Sequence, residues 1–227
     1  MANNWGADDR IHIQAHPTLA QLCDMVFTAS DEQLSTVVID IPVGLPNGEM
    51  RRLVDHQRWD ALKDRGAGCC PFYAPPIESI DVTTQEEFET VYFEVTHGRQ
   101  PNSSIWRIVP KITELREYLH TPYQLHQQFF EFDPELTWHR LLGEHQGRRT
   151  TAAGILDRFY YLEKAAPCWK ERLPDVVCSH GPEVLIQVVN AVIGLSVAQD
   201  ISNGVANRLP PFTEPTDSTG LPMVVWY

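Results

Sequence analysis

A short run of consecutive apolar residues, Val37-Val38-Ile39, is the clearest strand signal in this sequence. β-Branched residues without polar alternation are typical of a strand that is buried on both faces. Pro42 cannot donate to a ladder, so we expect the strand to end at about Asp40 or Ile41. Asp40 then lies at the carboxyl end of a central strand, where open α/β sheets bind ligands. An equally good interpretation is that Asp40 caps the turn that follows.

Alternating and helically spaced apolar positions predict the other elements. Alternation over residues 10–14 predicts a strand, and an aromatic run over 127–133 predicts another. Helical spacing predicts helices over 18–27, 50–66, 84–96, 103–119, 155–161 and 182–198. Thr84 and Glu87 match a capping box, and Pro110 predicts two helical segments that meet at Val109. The first three elements, strand, helix and strand, favour a right-handed crossover between parallel strands.

The aromatic strand, like the first, runs into carboxylates. Glu131, Asp133 and Glu135 occupy alternate positions, and alternation would place them on one side of a strand. Pro134 should break this strand, so we expect Glu135 to project from a turn. Three like charges on one side repel one another unless a cation or arginines lie among them. The cluster is therefore a candidate metal site, with arginine pairing as the alternative.

Length, composition and charge limit the class of protein. A chain of 227 residues and 25.9 kDa with 43% hydrophobic residues predicts one α/β domain over 1–227, with two small domains as the alternative. No apolar run approaches the roughly 18 residues of a membrane span, and the polar first ten residues predict no signal peptide. Five cysteines without metal-knuckle spacing predict cytoplasmic thiols. The formal charge of −12 disfavours tight binding of nucleic acid through phosphates.

Several separated strings, in order, resemble domain-of-unknown-function family 429, which is described as predicted nucleases with a ribonuclease-H-like fold. The first is Ile39-Asp40-Ile41-Pro42-Val43-Gly44-Leu45-Pro46, and the third is Pro110-Lys111-Ile112 with Glu114. The fourth runs from Glu131 to Glu135, with Asp133 where the family has histidine. The second and fifth are basic sets, comprising Arg52, Asp55, Arg58 and Arg65, and then Arg149, Thr151, Gly154 and Arg158.

The resemblance implies a mixed ribonuclease-H-like sheet flanked by helices, with a helical insertion at about 47–120. It implies metal-dependent phosphodiester hydrolysis in which clustered carboxylates hold Mg²⁺ or Mn²⁺. On this basis Asp40 and Glu135 are the candidate catalytic residues, and Asp40, Asp133 and Glu135 are the candidate metal ligands. The candidate substrate-binding residues are Lys111, Arg149 and Arg58. The alternatives are an exposed salt bridge with Glu114 for Lys111, an ordinary surface loop for Arg149, and a solvated helix face with intrahelical charge pairs for Arg58. We expect the two strands to end side by side and to deliver Asp40 and Glu135 to one pocket.

Two departures from the family pattern weaken the catalytic interpretation. The N-terminal strand that ends in Asp-Gly in family members has no counterpart before Arg10, so the sheet is expected to lack its first strands. The acidic positions on the last helix hold Ile186 and Asn190. The resemblance thus implies a nuclease whose activity is weak or lost, with nucleic acid as its partner. The alternative is a non-catalytic domain that binds a small molecule or another chain, and a homo-oligomer could complete the sheet.

Overall fold

The computed structural model describes residues 16–23, 36–65, 73–120, 128–143, 151–165 and 184–227. The strand predicted over 10–14 and the candidate substrate-binding residue Arg149 lie outside these ranges. Within them the chain combines helices with short strands, one pair of them parallel, so the α/β class predicted from the sequence is confirmed. The ribonuclease-H-like topology and the insertion at 47–120 stay predictions.

The strands form two small paired units that one bridge connects. Strand β1 (Val37–Ile39) pairs in parallel with β2 (Phe129–Glu131), and Ile39 is the register partner of Glu131. Strand β3 (Arg208–Leu209) pairs antiparallel with β4 (Val225–Trp226). A parallel bridge between Phe132 and Trp226 joins the two units. Because β1 and β2 are parallel neighbours, the chain segments that follow them begin side by side.

Most helices lie where the apolar spacing predicts them. They are α1 (Leu53–Leu62), α2 (Gln85–Val95), α3 (Val109–Leu119), α4 (Pro134–Leu142), α5 (Ala152–Ala165) and α6 (Leu185–Ser202). The Thr84 hydroxyl accepts from the Glu87 N–H, so Thr84 is confirmed as the N-cap, whereas the Glu87 carboxylate accepts from the N–H of Thr83, one residue before the cap, and not from that of Thr84 as a full capping box requires. A 3₁₀ segment, Trp106–Ile108, precedes α3, which confirms the break at Val109.

Helix α4 corrects the expectation that Glu135 projects from a turn. Pro134 ends the strand as expected, but it also begins a nine-residue helix, and Glu135 lies in its first turn. The Asp133 side chain caps this helix by accepting the Leu136 N–H at 3.0 Å. Proline at the first helical position and aspartate at the cap both favour a helix start, because the first turn leaves N–H groups that need acceptors.

Apolar clusters cover both faces of the β1–β2 pair. On one face, Val38 and Phe132 pack with the buried valines of α6. On the other face, Val37 and Phe129 pack with α3 residues such as Leu119. Helix α6 is long and apolar enough to cross a membrane by length and composition alone, with a mean hydropathy of 1.4. Here it packs against β1, α4 and α5 as a helix of the folded domain. A cytoplasmic location stays a prediction.

Gly44 allows the loop after β1 to lie directly against the C-terminal segment. A Cβ atom at residue 44 would stand 2.6 Å from the carbonyl oxygen of Pro222 and 2.7 Å from that of Leu221. Both neighbours are backbone atoms, so a side chain at this position forces one of the two segments to move.

We therefore expect Gly44→Ala to lower the free energy of unfolding by about 1–3 kcal/mol, the usual cost of overpacking a close contact. Urea denaturation measures this change. Gly194→Ala on α6 is the control, because its new Cβ would meet only side-chain ends, the nearest 3.1 Å away on Phe132. The explanation fails if Gly44→Ala is no less stable than Gly194→Ala.

Candidate functional site

A fully buried arginine lies at the centre of the polar residues that follow β1 and β2. Arg52, immediately before α1, is 1% exposed. Its guanidinium donates to both carboxylate oxygens of Glu131, at 2.6 and 2.9 Å, and to both of Asp55, at 2.6 and 3.1 Å. The remaining N–H donates to the Gly44 carbonyl at 3.0 Å. All five N–H groups of the guanidinium therefore have acceptors.

A second arginine on α1 extends this network to the cap of α4. The Arg58 guanidinium contacts Asp133 through Nε at 2.6 Å and Nη2 at 2.5 Å. Its Nη1 lies 3.5 Å from Asp55 and 3.9 Å from Glu131. Arg58 thus contacts Asp55 on its own helix and two carboxylates of the segment that joins β2 to α4, Glu131 and Asp133. Its contacts with Glu131 and Asp133 place these two carboxylates on the same side, as alternation predicts. Two guanidinium groups here face three buried carboxylates.

The pairing determines the charge state of these groups. Burial alone would lower the pKa of Arg52, but the carboxylates of Asp55 and Glu131 outweigh burial and raise it. The pKa of Arg58 is also raised against burial, chiefly by Asp133. Burial would raise the pKa of Asp55, yet the Arg52 guanidinium, with smaller contributions from Arg58 and the Ala74 N–H, lowers it. Arg52, Arg58 and Asp55 are therefore held in their ionised forms, since each is stabilised by opposite charges within the network.

Glu135 belongs to a separate polar cluster between α4, α5 and α6. Nη2 of Arg158, on α5, lies 3.0 Å from both Glu135 oxygens, and Arg158 is fully buried. The guanidinium also lies 5.6 Å from the ring centroid of Trp138, a cation–π contact. The Trp138 indole N–H donates to the Asn190 side chain on α6 at 3.3 Å. Asn190, one of the positions where family members carry an acid, is here an acceptor for a core tryptophan.

A third buried pair holds the loop after β1 against the C-terminal segment. Arg116 on α3 donates to Asp217 at 2.7 Å and to the Val43 carbonyl at 3.3 Å. Asp217 also accepts from the Leu45 N–H at 3.2 Å. Burial is the largest single influence on the pKa of Asp217 and by itself would raise it. The hydrogen bonds from Arg116 and Thr219 together outweigh burial, so the pKa of Asp217 is lowered. Neither Arg116 nor Asp217 was a candidate from the sequence. The signal that could have found Asp217 is its Asp-Ser-Thr-Gly turn pattern.

The structure brings two of the predicted site residues, Arg58 and Asp133, into direct contact. Glu135 lies in the separate cluster around Arg158. Asp40 is exposed at the end of β1, and Lys111 is exposed on α3. Glu114, considered as a partner of Lys111, accepts instead from the Leu19 N–H at 2.6 Å. β1 and β2 end side by side as expected, and the delivery of Asp40 and Glu135 to one pocket stays a prediction.

The donor set does not fit a divalent metal in this arrangement. Glu131, Asp133 and Glu135 each accept guanidinium N–H groups at 3.0 Å or less, so a dication would have to displace a buried arginine. Within the described ranges no group of three or more His, Cys, Asp or Glu side chains is placed to hold a metal. Binding of Mg²⁺ or Mn²⁺ by Asp40, Asp133 and Glu135 stays a prediction that this arrangement does not favour. The geometry corresponds to the alternative stated for these acids, in which each is paired with an arginine.

Comparison with protein families gives one result. The sequence model of the family described as "Protein of unknown function (DUF429)" matches residues 1–214. This covers nearly the whole chain. The chain belongs to the DUF429 family. No curated protein and no solved structure matches the DUF429 chain. The resemblance seen in the sequence is thereby confirmed at the level of the family, and the nuclease activity associated with it stays a prediction.

Removing Arg52 from the DUF429 chain should cost far more stability than removing an exposed cation. We expect Arg52→Met to lower the free energy of unfolding by about 3–5 kcal/mol, because it leaves Asp55 and Glu131 buried without their guanidinium partner. Lys63→Met is the matched control. Lys63 pairs with Asp60 at 3.3 Å on the surface, and its loss should cost at most about 1 kcal/mol. Chemical denaturation measures both. Similar losses in the two variants would contradict a dominant role for the Arg52 network.

Stability should fall in acid because Asp55 and Asp217 have lowered pKa values in the folded DUF429 chain. As pH falls through about 4, the ordinary carboxyl range, the unfolded chain takes up protons before these two groups do. Their contribution is therefore present above that pH and is lost below it. We expect a shallower acid loss in Asp217→Asn than in wild type, and an unchanged one in the exposed control Asp60→Asn. Unfolding free energies between pH 3 and 7 measure the slopes, and equal slopes in all three proteins would contradict the assignment.

Proposed function

We propose that this DUF429 chain is a non-catalytic member of a nuclease-like family and acts by binding another molecule. The observation that carries the proposal is that the acids Glu131, Asp133 and Glu135 are each paired with a buried arginine. Buried pairs of this kind are costly to break, since the partner left behind loses both water and its counter-charge. A metal would have to compete with three guanidinium groups for these carboxylates, and a phosphate would have to compete with the carboxylates for the guanidinium groups.

The distribution of positive charge supports the same proposal. The chain has 18 lysines and arginines, and Arg52, Arg58, Arg116 and Arg158 are buried in ion pairs. These four cations are therefore not displayed on the surface. A protein that holds nucleic acid needs a basic surface, because phosphate contacts supply most of the affinity. The formal charge of −12 and the internal use of these arginines both disfavour nucleic acid as the ligand.

Metal-dependent phosphodiester hydrolysis is the second candidate function, and one observation favours it. The parallel pairing of β1 with β2 brings the segment that starts at Asp40 next to the segment from Phe132 to Glu135. Carboxylates at adjacent strand ends are the usual basis of a two-metal site. Under this candidate Asp40 and Glu135 act with Mg²⁺ or Mn²⁺, and Lys111, Arg58 and Arg149 contact the substrate.

A cleavage assay distinguishes the two candidates. The wild-type chain is incubated with single- and double-stranded DNA and RNA in Mg²⁺ or Mn²⁺, beside Asp40→Asn and Glu135→Gln. We expect no divalent-dependent cleavage above the level of the variants, and no rise in melting temperature with Mn²⁺. Asp40 is exposed, so Asp40→Asn should leave the fold intact and remains an informative control. Cleavage that requires the metal and disappears in Asp40→Asn would overturn the non-catalytic proposal.

A further inference from the structure

Three polar side chains meet on the surface beside α1, outside the buried network. The guanidinium carbon of Arg51 lies 4.1 Å from the ring centroid of Tyr73. The ring centroid of His56 lies 5.3 Å from that of Tyr73, at an interplanar angle of 64°. Arg51 and His56 are exposed, and Tyr73 is half-buried. We call these three residues the Tyr73 platform, in which one aromatic ring orients a guanidinium and an imidazole that solvent reaches.

The buried network fixes the backbone on which the platform stands. The platform residues are the immediate chain neighbours of Arg52, Asp55 and Ala74. The guanidinium of Arg52 donates to both oxygens of Asp55, and the Ala74 N–H donates to one of them at 3.0 Å. These bonds hold residues 52–55 against residue 74, so the neighbouring side chains are brought together. The platform therefore has the rigid support that a specific binding site requires.

The hydrogen-bond donors of the platform are open to a ligand. In the part of the chain that the structure describes, Arg51 makes no ion pair, and neither Arg51 nor His56 has a side-chain hydrogen bond to another protein group. The buried arginines, by contrast, are all paired with carboxylates, in a chain that has 30 acids and 18 lysines and arginines. A guanidinium stacked on an aromatic face keeps its N–H edge available. That planar edge matches two oxygens of a phosphate or a carboxylate.

The charges around the platform suit one small anion. Burial raises the pKa of Tyr92, and Arg51 and Arg99 both oppose that rise, so both guanidinium groups lie within electrostatic range of its hydroxyl. Arg99 also donates to the Glu49 carbonyl at 2.8 Å, close in the chain to Arg51. The exposed Glu49 carboxylate lies 4.0 Å from the His97 ring. Two cations suit a single oxyanion group, whereas a nucleic-acid strand needs a run of cations.

We propose that the Tyr73 platform binds the oxyanion group, a phosphate or a carboxylate, of a small molecule. The inference names the ligand of the binding role proposed above and rests on that role. The Arg51 guanidinium donates two parallel N–H groups to the oxyanion, and the His56 imidazole supplies a further donor. Binding here breaks no ion pair, because Arg51 has no carboxylate partner in the described part of the chain.

The test titrates the full chain with inorganic phosphate and, separately, with acetate, at neutral pH and constant ionic strength. NMR of the His56 ring protons follows binding at the platform itself. Arg51→Gln removes the charge and keeps an exposed polar side chain, whereas Tyr73→Leu removes the orienting ring and keeps the charge. Arg107→Gln, at another exposed arginine, is the matched control. Melting temperatures equal to that of wild type establish that the variants are folded.

We expect saturable binding by wild type and Arg107→Gln, and about tenfold weaker binding by Arg51→Gln and Tyr73→Leu, because a charge-assisted contact is lost or misplaced. Tighter binding of phosphate or of acetate supports the site and identifies the oxyanion. Binding of neither anion would overturn the proposal, as would undiminished binding by Arg51→Gln or equal losses in Arg51→Gln and Arg107→Gln. The failure of anion binding would leave the non-catalytic role standing. Anion binding by a chain that also cleaves nucleic acid would overturn only that role.

Discussion

The fold depends on one buried cation that joins three segments of the chain. Arg52 binds Glu131 at the end of β2, Asp55 in the first turn of α1 and the Gly44 carbonyl in the loop after β1. Removing a guanidinium from water is expensive, and the cost is offset only when every donor is paired in good geometry. Because its partners lie up to 79 residues away, the network forms only when the strands and α1 are already assembled. It therefore selects one arrangement of these segments.

The same principle explains why the acidic segment is not a conventional ligand site. Glu131, Asp133 and Glu135 would repel one another if they faced a common space, and a dication or arginines can relieve that repulsion. In this chain Arg52, Arg58 and Arg158 provide the compensating charge. Each guanidinium is fixed to an element and adds geometry as well as charge, so the acids hold α1, α4 and α5 in place. A function that needed these carboxylates for a metal would have to give up that support.

The sequence predicts local features well and the distribution of long-range partners poorly. The strand at 37–39, the helix N-cap at Thr84 and the helix break at Val109 all follow from neighbouring residues, and the structure has all three. The acidic cluster was also visible, but its compensating cations come from 23 to 79 residues away and the spacing leaves metal and arginine equally acceptable. Helix α4 was missed because Pro134 was interpreted only as the end of a strand. Asp133 followed by proline is equally a helix start.

The carboxyl ends of β1 and β2 form a polar end of the sheet. Ligands of open α/β sheets usually enter at the carboxyl ends of the strands. Here that region is filled by guanidinium–carboxylate pairs, and a ligand placed there must first break pairs that are fully desolvated. The energetics therefore disfavour a ligand at the strand ends.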